Sequence, residues 1–342
     1  MSWPPGTLDY LLHGDPGRHD LVRRLDERVG AVRSVLLAPP LRDSDGLADD
    51  SPMGWQLVPW RRHPVVRLVV FVAVVVTALI LLGMLVLLVA PHSDAAGAST
   101  ELGAALLGYA AVVRVLERRR HPLELLPRRW AGVLVGLGVG ALLCALVVGL
   151  VAALGGYVVT GVDWSRPGFG TVWTLGVVAG VSEEIAFRGV LYRLLEPGLG
   201  TWGALATSAV VFGAIHLANP GATWAGALAI AVEAGVALGL MYALTRSLWV
   251  VVGVHAAWNV AEGAFFGVPV SGTPTGRGVL VSHPAGSPLL SGGGFGVEAS
   301  LVSVVCWALV ALGLGVLLVR RGAVVAPART RHRLLPGNPP EA

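Results

Sequence analysis

The stretch TVWTLGVVAGVSEEIAFRGVLYRLLEPGLGTWGALATSAVVFGAIHLA, residues 171–218, places Glu183, Glu184, Arg188 and His216 inside otherwise apolar sequence. It reads as two consecutive helical spans, Thr171 to Arg188 and Thr201 to Ala218. An ionisable side chain at the centre of such a span costs about 2.5–3.5 kcal/mol on insertion scales, so each is a functional candidate by default. Glu184 and Arg188, four positions apart, share a helix face and can pair, which keeps both charged at reduced cost. Glu183 points about 100° away and lacks that partner. A carboxylate in a poorly solvated site is suited to act as a general base on water at neutral pH. The plainer account is a buried ion pair plus one protonated acid that together stabilise a bundle.

Over the whole chain, 54% of the 342 residues are hydrophobic and 13% are charged, against roughly 25% charged in soluble chains. Apolar runs of spanning length recur rather than standing once at the N-terminus, which excludes a cleaved signal peptide as their explanation. Besides the two spans above, helices are expected over Leu68–Ala90, Leu102–Leu116, Ala131–Leu154, Thr223–Leu244, Leu248–Ala264 and Ala299–Val319. The fold class is an all-α, polytopic transmembrane helical bundle of about eight spans, with its active site between the fourth, fifth and seventh helices. The net charge is +4 and the chain has no Lys. Arg61, Arg62 and Arg67 precede the first span. Arg114, Arg118, Arg119, Arg120, Arg128 and Arg129 lie between the second and third, and Arg320, Arg321, Arg329, Arg331 and Arg333 follow the last. All three clusters fall on one side only with eight crossings, which makes both termini cytosolic. The opposite side then holds Pro91–Thr100 and the Gly-, Ser- and Pro-rich loop Gly267–Val297.

This pattern divides the chain into a cytosolic tail over 1–62, a transmembrane domain over 63–322 and a cytosolic tail over 323–342. One amphipathic helix is expected around Asp20–Leu37. The arginines flank spans instead of forming an aromatic-interleaved stripe, so membrane lipid is an expected partner and nucleic acid is not. Cys144 and Cys306 each sit within a span as small apolar residues and imply neither disulfide nor thiolate metal site.

In the seventh span His255 and Asn259 share a face at i, i+4, and both need a polar cavity in which to satisfy their hydrogen bonds. With Glu183 and His216 they supply a base, two imidazoles and donors suited to an oxyanion. Glu183, His216 and His255 are also a possible ligand set for Zn2+ or another divalent metal. No His-Glu-x-x-His spacing supports it, so metal-assisted and metal-free water activation both stay open. Glu233 in the sixth span is read as structural, and Glu262 as meeting interfacial water. Counted from the cytosolic ends, Glu183 and His255 lie at similar depth, whereas His216 comes out about 10 Å deeper.

Ser182-Glu183-Glu184-Ile185-Ala186-Phe187-Arg188-Gly189 resembles the Glu-Glu-x-x-x-Arg motif of the CAAX-protease and bacteriocin-processing (CPBP) family, also called Abi, which includes the type II CAAX prenyl endopeptidases. Phe212 to His216 resembles its Phe-x-x-x-His motif, and His255 to Asn259 its His-x-x-x-Asn motif. Each motif alone is weak, but their order across consecutive helices is specific. The resemblance covers roughly Leu102 to Phe266 and leaves out the first 60 residues. It implies an intramembrane endopeptidase acting on membrane-associated peptides or proteins. In that reading Glu183 and His216 activate water, His255 and Asn259 stabilise the oxyanion, and Glu184 and Arg188 orient the site. The family contains members described as metalloproteases and others as glutamate proteases. The Arg-only, Gly/Ala/Val-rich composition looks bacterial, so prenylated C-terminal peptides are not the expected substrate. The alternative from another class is a non-catalytic immunity or scaffold protein of the same fold. A transporter would call for an inverted repeat or paired broken helices, and the sequence shows neither.

Overall fold

The structure, a computed structural model, describes residues 59–330 apart from 167, 276, 277 and 329. The helix expected at Asp20–Leu37 and most of both tails lie outside the described residues. Among those described, seven helical runs are long and apolar enough to cross a membrane. Six are α1 (Pro64–Val89), α2 (Asp94–Leu116), α3 (Gly132–Ala153), α6 (Trp224–Thr245), α7 (Leu248–Phe265) and α8 (Leu301–Arg320).

The remaining run, Phe169–Ala218, has 50 residues and would extend about 75 Å if straight, more than twice the thickness of the hydrocarbon. It is not straight. Gly200 leaves helical geometry at φ 72° and ψ 172°, three residues after Pro197. The ring of Phe187 then meets that of Phe212 edge-on, with centroids 4.7 Å apart, which requires the chain to double back. The run therefore forms two antiparallel limbs, α4 (169–199) and α5 (201–218), and the eight expected limbs are present as seven continuous runs.

Several expected boundaries move. α2 starts at Asp94 instead of Leu102, capped by Ser93, whose side chain accepts the Ala96 N–H at 3.2 Å. α4 continues past Arg188 to the turn at Gly200. Glu183 and His216 then stand 17 and 16 residues from that turn, about 24–26 Å of helix each, so the expected mismatch in their depths disappears. A short antiparallel pair also forms within the connections, β1 (Tyr157–Val162) with β2 (Leu280–Pro284). Tyr157 pairs with Pro284 and Val162 with Leu280, with a bulge between Val159 and Gly161. The Tyr157 hydroxyl donates to the Phe266 carbonyl at 2.6 Å and ties this ribbon to the end of α7. The Gly-rich connection before α8 thus packs back onto the bundle.

With lipid outside, helix association relies on close van der Waals approach, which small residues permit. Gly132, Gly136 and Gly140 form a ladder at i, i+4, i+8 on α3, and all three are buried. They admit α7 so closely that a Cβ at 136 or 140 would overlap the carbonyl oxygens of Val250 and Val254. At the end of the bundle where this ladder begins, charged groups clamp the limbs. Glu117 accepts from Arg67 at 3.2 Å and from Arg193 at 2.9 Å. Glu124 pairs with Arg119 at 2.7 Å and accepts from the Tyr109 hydroxyl at 2.7 Å. Burial works to raise the Glu124 pKa, but the Arg119 hydrogen bonds and the charge of Arg193 outweigh it and hold the carboxyl below the usual range. Arg246, between α6 and α7, pairs with Glu196 just before the Gly200 turn. The chain beyond α8 pins that turn, with Thr201 N–H donating to Val325 O at 3.0 Å and Val325 N–H to Thr201 Oγ1 at 2.9 Å.

Two measurements check this architecture. Gly140→Leu is expected to lower the melting temperature of the detergent-purified protein, with a loss of at least about 1–3 kcal/mol from overpacking, while Gly138→Ala, which faces open space, leaves it unchanged. In a background lacking Cys144 and Cys306, Arg120→Cys and His283→Cys are expected to react with an impermeant maleimide from opposite faces of the membrane. Labelling from the same face would contradict the reversal at Gly200.

Candidate active site

The Glu183-Glu184 pair lies on the α-helical turn Gly180–Glu184, between two π-helical stretches, Trp173–Ala179 and Ile185–Tyr192. Such π segments recur at functional sites because they re-aim side chains within a continuous helix. Glu184 and Arg188 are both fully buried, and Arg188 Nη1 donates to Glu184 Oε1 at 2.7 Å, which is the pair expected from their spacing. Arg188 Nη2 reaches the Ala234 carbonyl on α6, and its guanidinium lies 5.2 Å from the centre of the Phe212 ring. The same Glu184 Oε1 accepts from His255 Nδ1 at 2.8 Å. This last contact was not legible from spacing, since it joins residues 71 positions apart.

On α5, His216 donates its Nδ1 hydrogen to the Phe212 carbonyl at 2.7 Å, and its ring lies against that of Phe212, with centroids 4.6 Å apart. Both imidazoles are thus held through Nδ1, and both turn Nε2 toward one atom. His216 Nε2 is 3.7 Å and His255 Nε2 is 4.0 Å from Glu183 Oε2. That oxygen is itself buried and has no hydrogen-bond partner, while the Glu183 side chain as a whole keeps 20% exposure. The structure therefore brings Glu183, His216 and His255 together from α4, α5 and α7. The separations are too long for direct hydrogen bonds and within the span that a shared water closes.

Asn259 is buried one turn beyond His255, and its amide donates to the Leu175 carbonyl on α4 at 3.3 Å. His255, Asn259, Glu233 and Glu298 line a cavity of about 20 Å³, room for a single water. Glu233 is buried with Oε1 unpartnered. The sequence reading of Glu262 as interfacial needs correction, because this residue is fully buried. It accepts from Trp258 Nε1 at 2.8 Å and from Val297 N–H at 3.1 Å. The returning connection before α8 covers the end of α7 and excludes water there. The same connection brings in Glu298, held by the Ser271 N–H and hydroxyl, a neighbour that sequence order could not reveal. Glu101 was missed for another reason. It precedes the expected start of the second span by one residue, yet its Oε1 accepts from Ser182 Oγ at 2.5 Å.

For a metal, the fit is poor as the side chains stand. Among the described residues no group of three or more His, Cys, Asp or Glu is placed to hold an ion. Glu184, which could have supplied a further donor, is committed to Arg188 and His255. The Glu183, His216 and His255 ligand set considered from the sequence gains no support from this placement.

Comparison with known proteins gives one relationship. Residues 165–261 match the family model described as type II CAAX prenyl endopeptidase Rce1-like. No curated protein and no solved structure matches the chain. The matched segment runs from the start of α4 into the end of α7 and contains Glu183, Glu184, Arg188, His216, His255 and Asn259. Through this segment the chain, a multi-pass helical membrane protein, is related to the CAAX protease (CPBP) family.

Proposed function

We propose that this protein is an intramembrane endopeptidase that hydrolyses membrane-associated peptides with water activated by Glu183 and His216. One observation carries the reading: two imidazole Nε2 atoms converge on the buried, unpartnered Oε2 of Glu183, whose side chain stays partly accessible. Because His216 spends its Nδ1 hydrogen on Phe212, its Nε2 is left to accept one hydrogen of the water. Glu183 takes the other proton as the oxygen attacks the peptide carbonyl carbon. The C–N bond then breaks as Glu183 returns that proton to the departing amine nitrogen. His255, held through Nδ1 by Glu184, presents Nε2–H as imidazolium to the oxyanion, and the Asn259 amide supplies a second donor. Glu184 and Arg188 fix the orientation of His255 and touch no reacting atom.

In this proposal both termini lie in the cytosol, and peptides within or beside the membrane are the substrates. Glu183 carries the proton in both directions, while the two imidazoles and the Asn259 amide hold the water and the oxyanion. Prenylated peptides are not required by any contact described.

Substitutions should separate the two roles. Glu183→Gln is expected to lower peptide cleavage by about 10²–10⁴-fold with an unchanged melting temperature. Arg188→Met, which strands a buried carboxylate, is expected to destabilise the protein by about 3–5 kcal/mol and to lose activity along with folded protein. Full cleavage by Glu183→Gln, judged by protein termini in reconstituted membranes, would overturn the assignment. Cleavage by the purified protein should also persist in a chelator. Loss that zinc restores would instead make Glu183, His216 and His255 metal ligands.

A further inference from the structure

The cavity beside His255 is walled by polar groups that the chemistry above does not use. Its volume is about 20 Å³, and a buried water needs roughly 10–15 Å³ together with two to four polar partners. Much of the polar wall is already spent. His255 gives Nδ1 to Glu184 and turns Nε2 toward Glu183. Trp258 Nε1 donates to Glu262, and Glu298 accepts from the Ser271 N–H and hydroxyl.

Three lining side chains are left, one from each of three helices. Glu233 on α6 and Trp307 on α8 are each 3% exposed, and among the described residues neither Glu233 Oε1 nor Trp307 Nε1 has a hydrogen-bond partner. Asn259 on α7 gives an amide hydrogen to the Leu175 carbonyl, which leaves its Oδ1 as an acceptor. A buried polar group without a partner costs its full desolvation. The chemistry of the three groups selects the occupant that removes this cost. An indole N–H can only donate, so the occupant must accept a hydrogen, while the two oxygens call for donated ones. A cation cannot take the indole hydrogen, and an anion would face Glu233 and Glu298. Water meets all three.

We infer that the cavity binds one ordered water, which accepts from Trp307 Nε1–H and donates to Glu233 Oε1 and Asn259 Oδ1, and that Glu233 and Trp307 act through it as positioning residues for Asn259. The inference rests on the endopeptidase reading, in which the second hydrogen of that amide meets the oxyanion. An asparagine amide rotates broadly about its last torsion when nothing holds it. Here the Leu175 carbonyl fixes one corner and the water fixes another, so the remaining N–H keeps one direction before charge develops on the substrate. The same water ties α6 and α8 to a centre whose reacting groups come from α4, α5 and α7.

The test combines electron density from lipid-grown crystals of the full chain with peptide cleavage by the same protein in nanodiscs. The wild-type map is expected to show one peak at about 2.7–3.2 Å from Trp307 Nε1, Glu233 Oε1 and Asn259 Oδ1. Trp307→Phe removes the donor and Glu233→Leu the acceptor. Each is expected to remove the peak and to lower kcat roughly tenfold, the scale of one hydrogen bond, with KM unchanged. Glu233→Gln, which keeps an acceptor, should recover most of the loss that Glu233→Leu causes. Because the effect passes through Asn259, Glu233→Leu should cost nothing further in an Asn259→Ala background, whereas a merely structural contact would lower kcat alike in both backgrounds. Should Glu233→Leu fail to fold, Trp307→Phe runs the same cycle. A map without the peak, an unchanged kcat in the variants, or equal losses in the two backgrounds overturns the inference. If no peptide is cleaved in a Glu183-dependent way, the endopeptidase reading itself fails and takes the positioning role with it, whatever the map shows.

Discussion

A carboxylate fully buried in a membrane bundle persists only if its charge is met on the spot, and Glu184 is met twice through one oxygen. Arg188 supplies the countercharge from the next turn of the same helix, and His255 arrives from another helix. That bridge fixes the rotation of α4 relative to α7. The rotation in turn aims Glu183, on the neighbouring face, at the Nε2 atoms of both histidines. Arg188 extends the tie to α6 through the Ala234 carbonyl. The two adjacent glutamates thus divide the work: one carboxylate is immobilised so that the other can stay unpartnered. An oxygen without a partner is expensive to maintain, and the family relationship of this segment fits its retention for hydrolysis.

Supporting this centre takes unusually tight backbone contact. The Gly132, Gly136 and Gly140 ladder brings α3 against α7, and π-helical stretches flank the Glu183 turn and follow Asn259. Small residues draw the helices together where lipid offers no hydrophobic drive for doing so. The ion clamp around Glu117 and Glu124 does comparable work at the ends of the limbs, where water and headgroups lower the cost of charge.

Much of this was legible before any coordinates. The eight limbs follow from apolar length and from arginine placement, and the Glu184–Arg188 pair follows from helical spacing. Convergence of Glu183 with His216 was harder to read, because an early end to α4 at Arg188 put the two at different depths. The extra turns to Gly200 carry no distinctive pattern, only continued helix across Pro197. Glu101 fell just outside an estimated boundary because Ser93 was not recognised as a cap. The sites of Glu262 and Glu298 depend on a long connection returning to the bundle, which no local periodicity encodes. The β1 run, Tyr157-Val158-Val159-Thr160-Gly161-Val162, has the β-branched character of a strand, but its partner lies more than 100 residues away. Glu117 and Glu124 are countercharges for arginines that had been read only as markers of topology.

The hydrogen bonds between Thr201 and Val325 reach across 124 positions of chain. They secure the hairpin in which Glu183 and His216 hang at matched distances from the bend. Neither bond exists until α8 and the residues after it have emerged from the ribosome. The earlier limbs can enter the bilayer and find one another, but the latch on this hairpin closes late in synthesis. A nascent chain therefore holds all its reactive side chains well before it holds them in their final register.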